Sequence, residues 1–204
     1  MSFPDNIGFY DFVAADPTSV FQNHNEWRLW TSLFVHADIS HLLSNMFMFM
    51  PLCYLLTAYF SFWFFPVWGL FCGGLVNIIV LRTLPAHTAI IGLSGVVYWM
   101  GAAWFTLFAL IDTRKTVKLR VSLFIVLSII LFAPEVYQPG ISYLSHLIGY
   151  IFGCLSALVF YILNLKKIKS AEIKIVEPIE DGPTVQPEQD IAQPQEQANS
   201  IDED

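Results

Sequence analysis

Apolar residues run along this chain in blocks that are too long for a soluble core and too unbroken for a surface helix. No Lys, Arg, Asp or Glu occurs from Ile39 to Leu81, from Thr83 to Ile111, or from Val136 to Leu165. About 20 apolar residues cross the hydrocarbon of a bilayer as a helix, so these blocks predict membrane spans. Five are predicted, at about His41–Tyr59, Trp63–Leu81, Leu93–Ile111, Val121–Ala133 with an extension toward Val136, and Tyr143–Leu165. A very tight turn near Phe60–Phe62 joins the first two. Pro51 and Pro66 are expected to kink their spans, which membrane helices tolerate when neighbours satisfy the freed backbone groups. Gly73-Gly74 in the second span and Gly149 with Gly153 in the fifth offer small-residue faces for close helix contact. The predicted fold class is all-α, a polytopic membrane helix bundle.

The polar stretches divide the rest. Residues 1–26 mix polar, aromatic and Pro residues and read as an interfacial segment, with Trp27-Arg28 and Trp30 as headgroup-level anchors. Their lack of a basic start and an apolar centre does not fit a signal peptide. Loops are expected at Arg82–Ile91, at the basic stretch Asp112–Arg120, and at Pro134–Ser142. From Ser170 on, four Pro, repeated Gln and many acids predict a disordered tail. The resulting organisation is an N-terminal non-spanning segment at 1–40, a transmembrane core at 41–165, and a basic anchor with acidic tail at 166–204.

Composition agrees, with 55% hydrophobic and 13% charged residues. The net charge of −7 describes the tail alone, because residues 171–204 hold ten acids and one Lys. Charge placement carries more information than charge sum. With alternating spans, Arg28 and Arg82 share one side, whereas Arg114, Lys115, Lys118, Arg120, Lys166, Lys167, Lys169 and Lys174 share the other. That asymmetry predicts an outside N-terminus and a cytoplasmic C-terminus. The Lys166–Lys169 cluster also suits anionic lipid. Cys53, Cys72 and Cys154 fall in apolar runs and read as buried hydrophobes, not disulfide partners.

Polar residues within spans are costly and therefore candidates for function. Ser94 opens the third span between Gly92 and Gly95, in a Gly-x-Ser-Gly that taken alone is more often a packing motif than a nucleophile. His41 and Asn45 open the first span four residues apart, hence on one face. His146 lies near the outer end of the fifth. Three helices thus place polar groups at one depth. No Asp or Glu within a span accompanies them, which argues against a full Ser-His-Asp triad and makes a Ser94–His146 pair the simplest hydrolytic arrangement available. His146 would accept the Ser94 proton and return it to a leaving amine. The Asn45 amide, the His41 imidazole and the Ser94 backbone N–H are the available oxyanion donors. Tyr98, one turn after Ser94, would hold the His146 ring by stacking. His36 reads as a structural brace of its loop, and His24 and His87 as solvated.

The run Trp27-Arg28, His36-x4-His41-x3-Asn45, Gly92-Leu93-Ser94-Gly95-Val96-Val97-Tyr98 and His146-x2-Gly149-x3-Gly153 resembles the rhomboid intramembrane serine proteases, especially the bacterial ones, over about residues 27–165. The resemblance implies Ser94 as nucleophile, His146 as base and His41 with Asn45 at the oxyanion site. It implies that Trp27-Arg28 belongs to a lipid-facing loop, and that residues 121–136 and 134–142 form a gate and cap. It also implies transmembrane substrate proteins with helix-destabilising segments and a small residue before the cut bond. A bacterial inner membrane is the implied location, with the lipid bilayer as surroundings, no cofactor and no nucleic acid. The chain departs from the family in that its usual first span, before the Trp-Arg loop, is not found in this sequence, so that either the true start lies upstream or this is a five-span form. It also lacks the Gly and Glu that usually end the next one, since Thr57–Phe62 has neither. The competing expectation is a catalytically inactive rhomboid-like binder of transmembrane helices. Metal binding through His36, His41 and His146 lacks carboxylates and any His-Glu-x-x-His, and an aspartyl protease lacks paired acids.

Overall fold

The structure, a computed structural model, describes residues 7–132 and 142–171. The chain divides into two units, Met1–Ala171 and Glu172–Asp204. The second, with the predicted disordered tail, lies outside the described residues. The first is helical: α1 (Ile7–Val13), α2 (Arg28–Thr31), α3 (Ile39–Tyr59), α4 (Gly69–Leu81), α5 (Ser94–Ile111), α6 (Val117–Phe132) and α7 (Tyr143–Ser170). Short helical turns at Thr18–Gln22, Ser32–Phe34 and Trp63–Trp68 link them. The all-α expectation holds.

Four stretches are long and apolar enough to cross a membrane: Ile39–Tyr59, Trp63–Leu81, Ser94–Ile111 and Tyr143–Ser170. Each coincides with a predicted span. The remaining predicted span is α6, with 16 residues, and its extension toward Val136 falls outside the described residues, as does most of the Pro134–Ser142 loop. Two boundaries differ from expectation. The stretch read as a loop to Arg120 turns helical at Val117, because Thr116 Oγ1 accepts the Leu119 N–H at 3.3 Å and Arg120 reaches back to the Ala109 carbonyl at 2.9 Å. The last helix runs past Leu165 to Ser170, where Lys167 and Lys169 lie against the negative end of its dipole.

α5 is the central helix, with every residue from Gly95 to Ala103 buried. A helix that is apolar all round needs neighbours all round. α7 approaches most closely: a Cβ on Gly149 would stand 2.2 Å from the Gly95 carbonyl oxygen, and one on Gly153 2.2 Å from that of Trp99. Only glycine fits at either point. On α4, Gly73 faces Val96 and Leu33, and Gly74 receives the Trp30 indole, where a Cβ would lie 2.3 Å from the ring. Trp30, read as a headgroup anchor, is therefore a packing residue, and Trp27 stays partly exposed. The second span breaks at Phe65, which is extended (φ −144°, ψ 135°) as residues before proline tend to be, so the kink expected at Pro66 is present. Ser156 of α7 accepts the indole N–H groups of Trp68 at 3.0 Å and Trp99 at 3.2 Å, joining three helices through one hydroxyl.

The segment before α3 is folded against the bundle end that carries Ser94. Arg28 donates to the carbonyls of Asp11 at 2.7 Å and Ala14 at 3.3 Å. Ala15 pairs with Ile90 as an isolated antiparallel bridge. Thr18 holds the Ala86 carbonyl through its hydroxyl at 2.9 Å. The loop leading to Ser94 is thus braced from the N-terminal side.

Candidate active site

The chain enters α5 through Gly92, whose φ of +108° suits glycine alone. Gly92 N–H donates to the Ser32 carbonyl at 2.9 Å, tying this turn to the segment before α3. Ser94 is the first residue of α5, where backbone N–H groups have no partner within the helix and the dipole is positive. Gly95, by contrast, is not open. It lies under Gly149 and Val76, so it serves the α5–α7 contact.

α7 begins at Ser142, whose hydroxyl accepts the Ser145 N–H at 3.3 Å and bonds the Ser145 hydroxyl at 2.7 Å. One residue on, His146 is 2% exposed. Its Nε2 lies 2.8 Å from Ser94 Oγ. With the ring proton on Nδ1, Nε2 accepts from the serine hydroxyl, the arrangement that general-base activation needs. The Tyr98 ring lies against the imidazole with centroids 4.3 Å apart and planes 8° apart, and the Tyr98 hydroxyl donates to the Leu131 carbonyl at 3.0 Å. The stack expected from sequence is present, and its outer end is pinned to α6.

α3 brings the third group. Asp38 caps this helix by accepting the His41 N–H at 2.8 Å, from an extended backbone suited to an N-cap. A Cβ built on Gly92 would meet His41 Cε1 at 3.2 Å, so the His41 ring stands beside the turn that delivers Ser94. Asn45 lies one turn along α3 and is 7% exposed, and its Nδ2 has no hydrogen-bond partner among the described residues. A buried, unsatisfied amide costs about 1–3 kcal/mol and calls for a reason. The His36 and His41 rings meet edge to face at 5.1 Å. Burial chiefly, and then the His41 charge, push the His36 pKa down, with the Phe34 backbone partly restoring it. His24 is exposed, and so is His87.

Of the seven residues singled out in sequence, Ser94, His146 and Tyr98 are therefore joined by direct contacts, and the His41 ring stands beside Gly92. His36 touches His41, and Asn45 follows on the same helix. No group of three His, Cys, Asp or Glu side chains among the described residues could share a metal ion. Sequence reading missed three polar groups. Asn77 of α4 donates to the Leu29 carbonyl at 2.8 Å and to Ser32 Oγ at 3.2 Å, fixing the segment that receives Gly92. It was discoverable by the rule that drew attention to Asn45. Asp112 and the Ser128–Tyr150 pair had no such signal, as one sits among basic residues and the others are ordinary in membrane helices.

Two comparisons found nothing: neither a curated protein nor a solved structure matches the chain. The Rhomboid domain family profile, however, matches residues 23–163, which runs from the Trp-Arg loop through most of α7 and includes every residue of the site. The chain is an integral membrane protein and belongs to the rhomboid family.

Proposed function

We propose that this protein is an intramembrane serine endopeptidase that cuts transmembrane segments with a Ser94–His146 dyad. The observation that carries the reading is the 2.8 Å approach of Ser94 Oγ to His146 Nε2 between two helices locked by glycine contacts. In the first step Oγ attacks the peptide carbonyl carbon while its proton passes to Nε2. The oxygen of the tetrahedral adduct takes the negative charge, stabilised by the Asn45 amide, the His41 imidazole and the Ser94 N–H at the start of α5. Collapse breaks the C–N bond, the leaving amine takes the proton from His146, and an ester to Ser94 remains. Water, deprotonated by His146, then hydrolyses the ester. Tyr98 keeps the imidazole plane fixed in place of the missing carboxylate.

The orientation that places this site toward the outer face of a bacterial inner membrane, with α7 ending in the cytoplasm, rests on the charge asymmetry of the loops. Residues 1–40 serve as the non-spanning segment, 41–165 as the catalytic core and 166–204 as the anchor and tail. Substrates are membrane proteins whose helices unwind readily near the site.

The test is cleavage of a transmembrane substrate by purified protein in liposomes. Ser94→Ala is expected to abolish cleavage, and His146→Ala to abolish both cleavage and labelling by a fluorophosphonate. Cleavage that survives in Ser94→Ala overturns the serine mechanism. Substrate binding without cleavage or labelling by the wild-type protein favours the inactive, helix-binding reading.

A further inference from the structure

At Gly92 the turn that delivers Ser94 has no side chain of its own to hold it. What holds this point is the Ser32 carbonyl, which accepts the Gly92 N–H at 2.9 Å. Ser32 is fully buried, and it lies where α2 gives way to the tighter turn Ser32–Phe34. The same carbonyl accepts the Val35 N–H at 3.3 Å. A helical turn of three residues has poorer hydrogen-bond geometry than an α-helix, so it gains from an anchor outside itself. Asn77 of α4 supplies the anchor. Its amide donates to the Leu29 carbonyl at 2.8 Å and to Ser32 Oγ at 3.2 Å, which uses both of its protons. A flipped amide would set its oxygen against the Leu29 carbonyl, so the orientation is fixed. Asn77 is 8% exposed, and no other residue of α4 has a charged or amide side chain. Such a group is costly within a span, and packing alone would ask for an apolar residue there.

We infer that Asn77 is a positioning residue for the proposed reaction: through Leu29 and Ser32 it fixes the carbonyl that holds Gly92, and so the aim of Ser94 Oγ at His146 Nε2. The inference rests on the protease reading and adds a group on α4 to the three helices of the site. The path is short. It runs from Asn77 to Ser32, from the Ser32 carbonyl to Gly92, and along two residues to a hydroxyl 2.8 Å from Nε2. The turn also stands against the His41 ring, since a Cβ on Gly92 would meet Cε1 at 3.2 Å. A shift of Ser32 therefore moves the nucleophile relative to its base and to one oxyanion donor together. Misplacing a reacting group by about 1 Å can cost 10²-fold in rate. Loss of Asn77 should thus act on the chemical step and leave substrate binding alone.

The experiment compares wild type, Asn77→Leu, Ser32→Ala, their double variant and Ser156→Ala as full chains in lipid nanodiscs. Ser156 accepts from Trp68 and Trp99, so its loss removes interhelical hydrogen bonds without touching the turn. The readouts are kcat and KM for a transmembrane substrate, the rate of Ser94 labelling by a fluorophosphonate, and the thermal midpoint. Asn77→Leu is expected to lower kcat and the labelling rate by about tenfold to hundredfold with KM unchanged. Ser32→Ala, which loses one of the two bonds, should lower both by less. Adding it to Asn77→Leu should change nothing further, because that bond is already gone. Ser156→Ala is expected to lower the midpoint and to label at the wild-type rate. Wild-type labelling by Asn77→Leu overturns the positioning role and leaves the protease reading intact. An equal loss of labelling in Ser156→Ala overturns it as well, because labelling then follows stability and not the turn. If Asn77→Leu does not keep its helix content, Ser32→Ala decides: slower labelling upholds the role, and an unchanged rate overturns it. Absence of both cleavage and labelling in wild type defeats the protease reading and this inference with it.

Discussion

Asn45 is the residue whose cost and use are most clearly opposed. Its amide is buried without a hydrogen-bond partner among the described residues, an arrangement that destabilises the fold by about 1–3 kcal/mol. A residue kept for stability would not be left so. Replacement by Leu, close in volume and without a donor, is expected to leave the thermal midpoint unchanged or raise it. The same change should lower kcat by about 10²–10³, the usual effect of losing one oxyanion donor. The two readouts run in opposite directions, which separates a catalytic donor from a packing residue. A fall in the midpoint with kcat preserved would remove Asn45 from the site. His41 does not present this contrast, because its ring is already engaged with Gly92 and His36.

At the scale of elements, the decisive contact is between α5 and α7, since it sets the distance from Ser94 to His146. Gly149→Ala places a methyl group 2.2 Å from the Gly95 carbonyl oxygen, and backbone cannot yield as a side chain can. Overpacking of this kind costs about 1–3 kcal/mol, and a displacement of about 1 Å at a reacting pair can cost 10²-fold in rate. The expected outcome is slower fluorophosphonate labelling of Ser94 with the helix content by circular dichroism retained. Labelling at the wild-type rate would show that the glycine is dispensable. These elements were largely legible in the sequence, because a charge-free apolar run has one structural solution in lipid and because polar residues at matching depth converge. What was not legible depends on which helix meets which. Trp30 looked like an anchor until Gly74 proved to receive it, and nothing in the order of residues showed that Gly149 would cover Gly95. Helix starts also escaped the reading where a side chain decided them, as Thr116 and Arg120 do for α6.

The whole molecule carries titratable groups at both ends of the bundle, and the two ends respond to acid in different windows. At the Ser94 end, burial and the neighbouring His41 hold the His36 pKa below its ordinary 6.5. The folded state then binds fewer protons than the unfolded chain once pH drops below that value, so stability declines as pH falls through the ordinary histidine range. At the other end, Asp112 follows α5, where a carboxylate opposes the negative end of the helix dipole. Hydrogen bonds from Arg114 at 2.8 Å and Lys115 at 2.7 Å, chiefly that of Arg114, hold its carboxyl well below the usual carboxylate range. This contribution is complete above the ordinary value of 3.8 and is lost only as pH falls toward the depressed one. Wild-type thermal midpoints measured in detergent should therefore fall in two stages, the first below neutrality and the second in strong acid. His36→Gln is expected to flatten the first stage alone, and Asp112→Asn to lower the midpoint at neutral pH and flatten the second alone. The sites are at opposite ends of α5, so the two effects should add. A single stage that His36→Gln leaves unaltered would mean that the histidine pair does not limit stability at the Ser94 end.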